Sequence, residues 1–188
     1  IFLGFLPPVN EMQRVGNPPK EQASYPAQMI YCRHCHLVQL GLTVDPAVLF
    51  PPEYPYSSGT TKILRENFAE LYKDCSSVIS LKPEDLIVDI GSNDGTLLKN
   101  FRDGGHRVLG IEPTDMGHVA RKNGVPTNIE FFGPTAALNA KKENGLAKVI
   151  TATNVFAHIE NVHEIVESIC DLLDEDGVFI SESHYLLN

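Results

Sequence analysis

Hydrophobic and polar positions divide this chain into an irregular first third and a regular remainder. Residues 61–80 place Ile63, Leu64, Phe68, Leu71, Tyr72 and Cys75 at spacings of three and four, which predicts an amphipathic helix. Leu86-Ile87-Val88-Asp89-Ile90, closed by Gly91, predicts a buried strand. Residues 94–103 then predict a helix, Arg107–Ile111 a strand, 114–123 a helix and Asn128–Phe132 a third strand. Lys148–Ala152 predicts a fourth strand and Val162–Leu173 a helix. Val178–Ser181 predicts a fifth strand after a turn at Asp176-Gly177. Strands alternating with helices at this rhythm mean βαβ units, a parallel sheet and helices on both its faces. The expected class is α/β with a Rossmann-like core.

Residues 1–60 hold nine of the 13 prolines, which forbids long helices and leaves short strands and turns. The expected division is a small Pro-rich module with its linker over 1–57, and the α/β domain over 58–188. So small a module has little core and needs a metal, a disulfide or a neighbour.

Composition narrows the function classes. With 15 basic and 24 acidic residues the net charge is -9, which argues against nucleic acid or an anionic membrane as partner. It leaves room for a small ligand held by backbone amides at a helix N-terminus. No run approaches the length of a bilayer-spanning helix. Four cysteines are too few for a disulfide scaffold, so a reducing cytoplasm is the simplest expectation. The apolar opening Ile1–Leu6 runs into Pro7-Pro8 and lacks a basic leader, so it does not read as a signal peptide. A first residue other than Met suggests a piece of something longer.

The most informative stretch is Asp89-Ile90-Gly91-Ser92-Asn93-Asp94-Gly95-Thr96-Leu97-Leu98. A strand ends, a glycine-containing turn follows, and a helix begins with its free N–H groups aimed at the crevice where open α/β sheets bind nucleotides. Glu112 closes the next strand, the expected place for a carboxylate accepting from ribose hydroxyls. Asn93 stands where the dinucleotide fingerprint has glycine, and Asp94 puts negative charge near the site of a pyrophosphate. A cofactor with a cationic sulfonium suits Asp89 and Asp94 better than a diphosphate does. The plain alternative is a tight βα turn with an Asn/Asp cap.

Cys32 and Cys35 form a C-x2-C pair, half of a tetrahedral zinc site. A redox pair is the rival, but that chemistry favours a helix start beside a βαβ unit. Asn154 and His158 follow the fourth strand and His184 the fifth, all on the ligand edge of the sheet; a histidine there can serve as general base near neutral pH. Glu182, two residues earlier, raises the basicity of His184 if the side chains meet. Ser58 and Tyr56 lie just before the first core helix, placed to close over a cofactor, and Phe132 is placed to wall an adenine. Each also has a bland reading as packing, a cap or a surface group.

Together these motifs resemble the S-adenosylmethionine (SAM)-dependent C-methyltransferases that act on nucleotide-linked 4-keto deoxysugars. The resemblance runs through Cys32–Leu40, Leu49-Phe50, Tyr54–Thr61, Asp89–Leu98, Gly110–Pro113, Thr151–Ile159 and Glu182–Leu186. It implies a class I methyltransferase core and a structural zinc held by Cys32, Cys35 and a second C-x-x-C pair preceding Ile1. It also implies a C-terminal domain, and further strands, beyond this chain. Within the crevice the expected cofactor contacts are Ser58, Asp89, Gly91, Asn93, Asp94, Gly95, Glu112, Phe132 and Asn154. His184, past the fifth strand, is the expected base, with His158 and Tyr56 orienting the sugar or polarising its carbonyl, and an exchange of roles between His158 and His184 is the alternative. Competing readings are an NAD-dependent oxidoreductase or epimerase on the same fold, and a SAM-binding protein without catalysis.

Overall fold

The computed structural model describes residues 1–18 and 20–184. The chain separates into two compact units, Ile1–Pro55 and Tyr56–Asn188. In the first, β1 (Phe2–Leu6), β2 (Tyr25–Tyr31) and β3 (Val38–Leu40) form an antiparallel sheet in that order, followed by the four-residue helix α1 (Pro46–Leu49). Proline density does what the sequence requires: the one helix among the described residues of this unit begins on Pro46, with Asp45 capping Ala47 N–H at 2.9 Å.

The second unit begins with a 3-10 turn (Ser58–Thr60) and α2 (Lys62–Val78). Strands β4 (Leu86–Ile90), β5 (Arg107–Ile111), β6 (Thr127–Asn128), β7 (Ala147–Thr153) and β8 (Leu173–Glu182) follow. They alternate with α3 (Thr96–Asp103), α4 (Met116–Lys122), α5 (Pro134–Asn144) and α6 (Val162–Leu172). The sheet is parallel throughout, in the order β6-β5-β4-β7-β8. Strand order therefore reverses between β4 and β7, and the crevice of such a sheet opens there, at the carboxyl ends of the strands.

Two cores flank the sheet, as period-two strands buried on both faces dictate. On one face Leu86, Val88, Ile90, Ile150 and Ala152 meet Ala137 and Ala140 of α5 and Ile165, Ile169 and Leu172 of α6. On the other, Ile87 and Val149 meet Phe68 and Cys75 of α2 and Leu97, Leu98 and Phe101 of α3. No helix among the described residues is long and apolar enough to cross a membrane.

Three elements differ from expectation. The third strand is only Thr127–Asn128, because Gly133 and Pro134 turn the chain into α5 soon after. That helix was not expected: its buried residues are Ala136, Ala137 and Ala140, too small to register as an apolar stripe. Its available signals were the Pro at its start, lysines in its last turn and Gly145 beyond. The fifth strand begins at Leu173, and the expected turn is a bulge within it: Leu173 pairs with Ala147 and Val178 with Val149, so five steps on β8 answer two on β7.

Candidate active site

Gly91–Gly95 links β4 to α3 at the switch point, with Gly91 (φ 68°), Asn93 (φ 50°) and Gly95 (φ 79°) all left-handed. A Cβ on Gly91 would lie 2.5 Å from Val155 Cγ2, so the loops after β4 and β7 touch through a bare backbone. Asn93, one of three described non-glycine residues with positive φ, engages its N–H and both polar atoms of its side chain. Its N–H donates to Glu112 Oε2 at 3.0 Å, its Nδ2 to the Tyr56 carbonyl at 3.1 Å, and its Oδ1 accepts from Ser58 N–H at 2.8 Å.

Glu112 is buried just past β5. Its Oε1 accepts from Thr114 N–H at 2.9 Å and from the Thr114 hydroxyl at 2.6 Å. A carboxylate has about four lone-pair sites, so these bonds and the Asn93 bond leave Oε2 able to accept from one ribose hydroxyl. Within the loop, the Ser92 hydroxyl is buried without a hydrogen-bond partner and packs on the bare Cα of Gly110. An orphaned donor and an incompletely used carboxylate fit a polar nucleoside.

Asp89 is 2% exposed and accepts from the Thr151 hydroxyl at 2.6 Å. Burial, with the negative charge of Glu112 adding to it against the Thr151 bond, pushes its carboxyl up to about 7. Asp94 behaves oppositely: burial opposes its charge, but hydrogen bonds from Ser57, Thr96 and Gly59 outweigh it and hold the carboxyl below its ordinary range. Thr114, Thr151 and Ser92 went unread in the sequence; a hydroxyl two residues past Glu112 was the one local signal.

At the far side of the crevice, Asn154 (φ 57°) follows β7. Its N–H donates to the Glu182 carbonyl at 2.7 Å and its Nδ2 to Glu182 Oε1 at 3.1 Å. Asn67 of α2 takes the other oxygen, Oε2, at 2.9 Å. Both Glu182 oxygens are thus bound by amides. The carboxylate thereby ties α2 to the ends of β7 and β8. His184 itself is exposed, two residues past β8. Tyr185 and Leu186, the end of the last motif, lie outside the described residues.

His158 ends a single 3-10 turn (Phe156–His158) and is exposed, as is Tyr56. Ser58 is buried at the start of its turn. Phe132 is half-buried and packs against the core on the α5–α6 face.

In the first unit Cys32 and Cys35 occupy the β2–β3 turn, closed by His36 N–H to the Cys32 carbonyl and Cys32 N–H to the Leu37 carbonyl, both 2.9 Å. The N–H groups of Cys35 and then His34, with the Cys35 side chain, hold the Cys32 thiol below its ordinary value. Amides converging on sulfur stabilise a thiolate, the form that binds metal. The described residues gather no group of three or more metal-ligating side chains.

Residues 61–186 match the family described as "Methyltransferase domain", and the chain belongs to that family. Residues 1–50 match a second family, "Putative zinc binding domain". Among curated relatives, the C-methyltransferase NovU of Streptomyces niveus is 33% identical over 164 residues. That match takes in 87% of this chain and 39% of the relative, so the chain spans about two fifths of it. Among solved structures, the plantazolicin methyltransferase BpumL, in complex with a pentazolic desmethylPZN analog and SAH, superposes with a TM-score of 0.52. It is 18% identical, over 65% of this chain and 48% of that one. The same enzyme with a triazolic analog gives 0.51 at 18% identity, over 65% and 47%. At such identity the likeness is one of fold.

Proposed function

We propose that this chain carries the catalytic core of a SAM-dependent C-methyltransferase whose acceptor is the carbon beside the ketone of a nucleotide-linked deoxysugar. The observation that carries the reading is the crevice at the β4–β7 switch point, floored by Gly91, Asn93 and Glu112 and rich in carboxylate. When bound, SAM supplies an electrophilic methyl group on a cationic sulfur. Glu112 accepts from the ribose, Gly91 and Gly95 allow close approach, and Asp89, Asp94 and Asn154 set the field and shape of the crevice around the cofactor, with Phe132 at its apolar side.

Carbon methylation requires that the acceptor C–H break first. His184 takes that proton, and His158 and Tyr56 hold the sugar and its carbonyl oxygen, so that the released electron pair forms the new carbon–carbon bond. Cys32 and Cys35 contribute two thiolates to a structural zinc, apart from the chemistry. The test is mass spectrometry of products after mixing the full-length protein with SAM and a panel of 4-keto sugar nucleotides. A product heavier by one methylene on carbon supports the reading, and SAM binding without turnover of any sugar favours a non-catalytic binding protein.

A further inference from the structure

Dinucleotide-binding loops keep glycine at their middle position so that the backbone can approach a pyrophosphate, which rests on the N-terminus of the next helix. Here both features are put to another use. The middle position is Asn93, whose side chain holds Ser58 N–H and the Tyr56 carbonyl. At the start of α3, Thr96 N–H and hydroxyl donate to Asp94 Oδ1 at 3.1 and 2.6 Å, so the chain's own carboxylate sits at the positive end of the helix. The other oxygen of Asp94 accepts from the Ser57 hydroxyl and from Gly59 N–H at 2.7 Å.

Residues 56–59 are therefore fastened at every residue. A Cβ on Gly59 would lie 2.7 Å from Thr96 Oγ1 and 2.9 Å from Asp94 Oδ2, a closeness open to glycine alone. From the other side Arg65 Nη1 donates to the Gly59 carbonyl at 2.5 Å. Ser57, half-buried, and Ser58, buried, cover the loop.

We propose that Asn93 and Asp94 are specificity-determining positioning residues: they clamp residues 56–59 as a fixed strap across the loop after β4, and strap and carboxylate together close the crevice to diphosphate-bridged dinucleotides while admitting a nucleoside with a cationic sulfur. A diphosphate meets a buried negative charge where it needs N–H donors, and the strap fills the approach that glycine leaves open. Asn93 and Asp94 act through the strap and the field it fixes. The ligand's identity rests on the methyltransferase reading; the clamp does not.

The experiment measures SAM and NAD binding by calorimetry, and amide hydrogen exchange at Ser58 and Gly59, on the whole chain. Wild type protects both amides and prefers SAM. Asn93→Gly, which restores the fingerprint glycine, should speed Ser58 exchange by about tenfold or more while β4 amides stay protected. Asn93→Gly combined with Asp94→Ser should narrow the preference over NAD by about tenfold or more. Ser57→Ala removes one bond from outside and keeps the test open if the double variant does not fold: Gly59 exchange should quicken with little change in melting. Unchanged exchange overturns the clamp, and an unchanged preference overturns the selection. Wild type binding neither ligand overturns the methyltransferase reading and the selection with it, while exchange still decides the clamp.

Discussion

The Thr151 hydroxyl donates to the Asp89 carboxylate at 2.6 Å, joining two neighbouring strands inside the sheet at its ligand edge. That bond favours the charged acid, yet burial prevails and leaves the carboxyl near 7 instead of 3.8. Folded Asp89 therefore holds its proton where the unfolded chain has lost it. The resulting stability is fully present below about 3.8, declines as pH rises, and is gone above about 7, a span worth roughly 4 kcal/mol. Denaturant melts at pH 5 and pH 8 check this. Wild type should lose about 3 kcal/mol more than Asp89→Asn across that interval, and parallel losses would refute the raised value.

Glu112 holds Thr114, Asn93 and, in the proposed complex, a ribose hydroxyl. Glu112→Ala should weaken S-adenosylhomocysteine binding by roughly 1.5–3 kcal/mol, the range for hydrogen bonds to a charged group. Glu112→Gln should also weaken it, since an amide NH2 placed at either oxygen faces an N–H donor. Calorimetry beside a melting curve separates lost affinity from a loosened loop, and an unchanged dissociation constant in the Ala variant removes Glu112 from the site.

Gly91 bears two constraints at once: a φ of 68° and a neighbour, Val155, where a Cβ would stand. Gly91→Ala should cost about 2 kcal/mol or more of stability, from left-handed backbone and from overpacking. Adding Val155→Ala relieves the overpacking and leaves the backbone strain, so the pair should be less than additive in a double-mutant cycle. Strict additivity in thermal melts would show that the two loops do not meet.

What the sequence showed and hid follows from side-chain size and from distance along the chain. Strands β4 and β5 were legible to the residue because continuous β-branched and aliphatic runs mark a doubly buried sheet. Helix α5 was not, because it packs through alanine, which leaves no period to read. At the site, Gly91 and Glu112 were legible from local spacing. The Asn67–Glu182–Asn154 cluster was not, since its members lie 28 and 115 residues from one another and only the fold joins them. Asn93 and Asp94 were singled out in the loop after β4, but their side chains face residues 56–59, a pairing across 35 to 37 positions that no local pattern encodes.

Zinc separates the two units' roles. In the full-length protein Cys32→Ser with Cys35→Ser should abolish bound zinc, measured by elemental analysis, because a tetrahedral site short of two thiolates binds weakly. The affinity for S-adenosylhomocysteine should hold, since its proposed contacts lie in residues 56–188. Zinc retained at one per chain would place the ligands elsewhere.

The base is the sharpest test of the chemistry. A proton beside a ketone is weakly acidic, so its removal needs a group titrating near the working pH and a polarised carbonyl oxygen. His184 lies past the end of β8 and His158 past β7, both on the edge that carries Gly91 and Glu112. Glu182 is held by Asn67 and Asn154, which fixes the strand end from which His184 departs. Loss of a general base costs about 10²–10⁴-fold in rate. Exchange of the substrate's α-proton into deuterated solvent, with S-adenosylhomocysteine bound, isolates this step from methyl transfer. His184→Ala should slow exchange within that range without changing cofactor affinity, and Tyr56→Phe and His158→Ala should act mainly on sugar binding. Wild-type exchange in His184→Ala, with loss in His158→Ala, would transfer the base to the loop after β7.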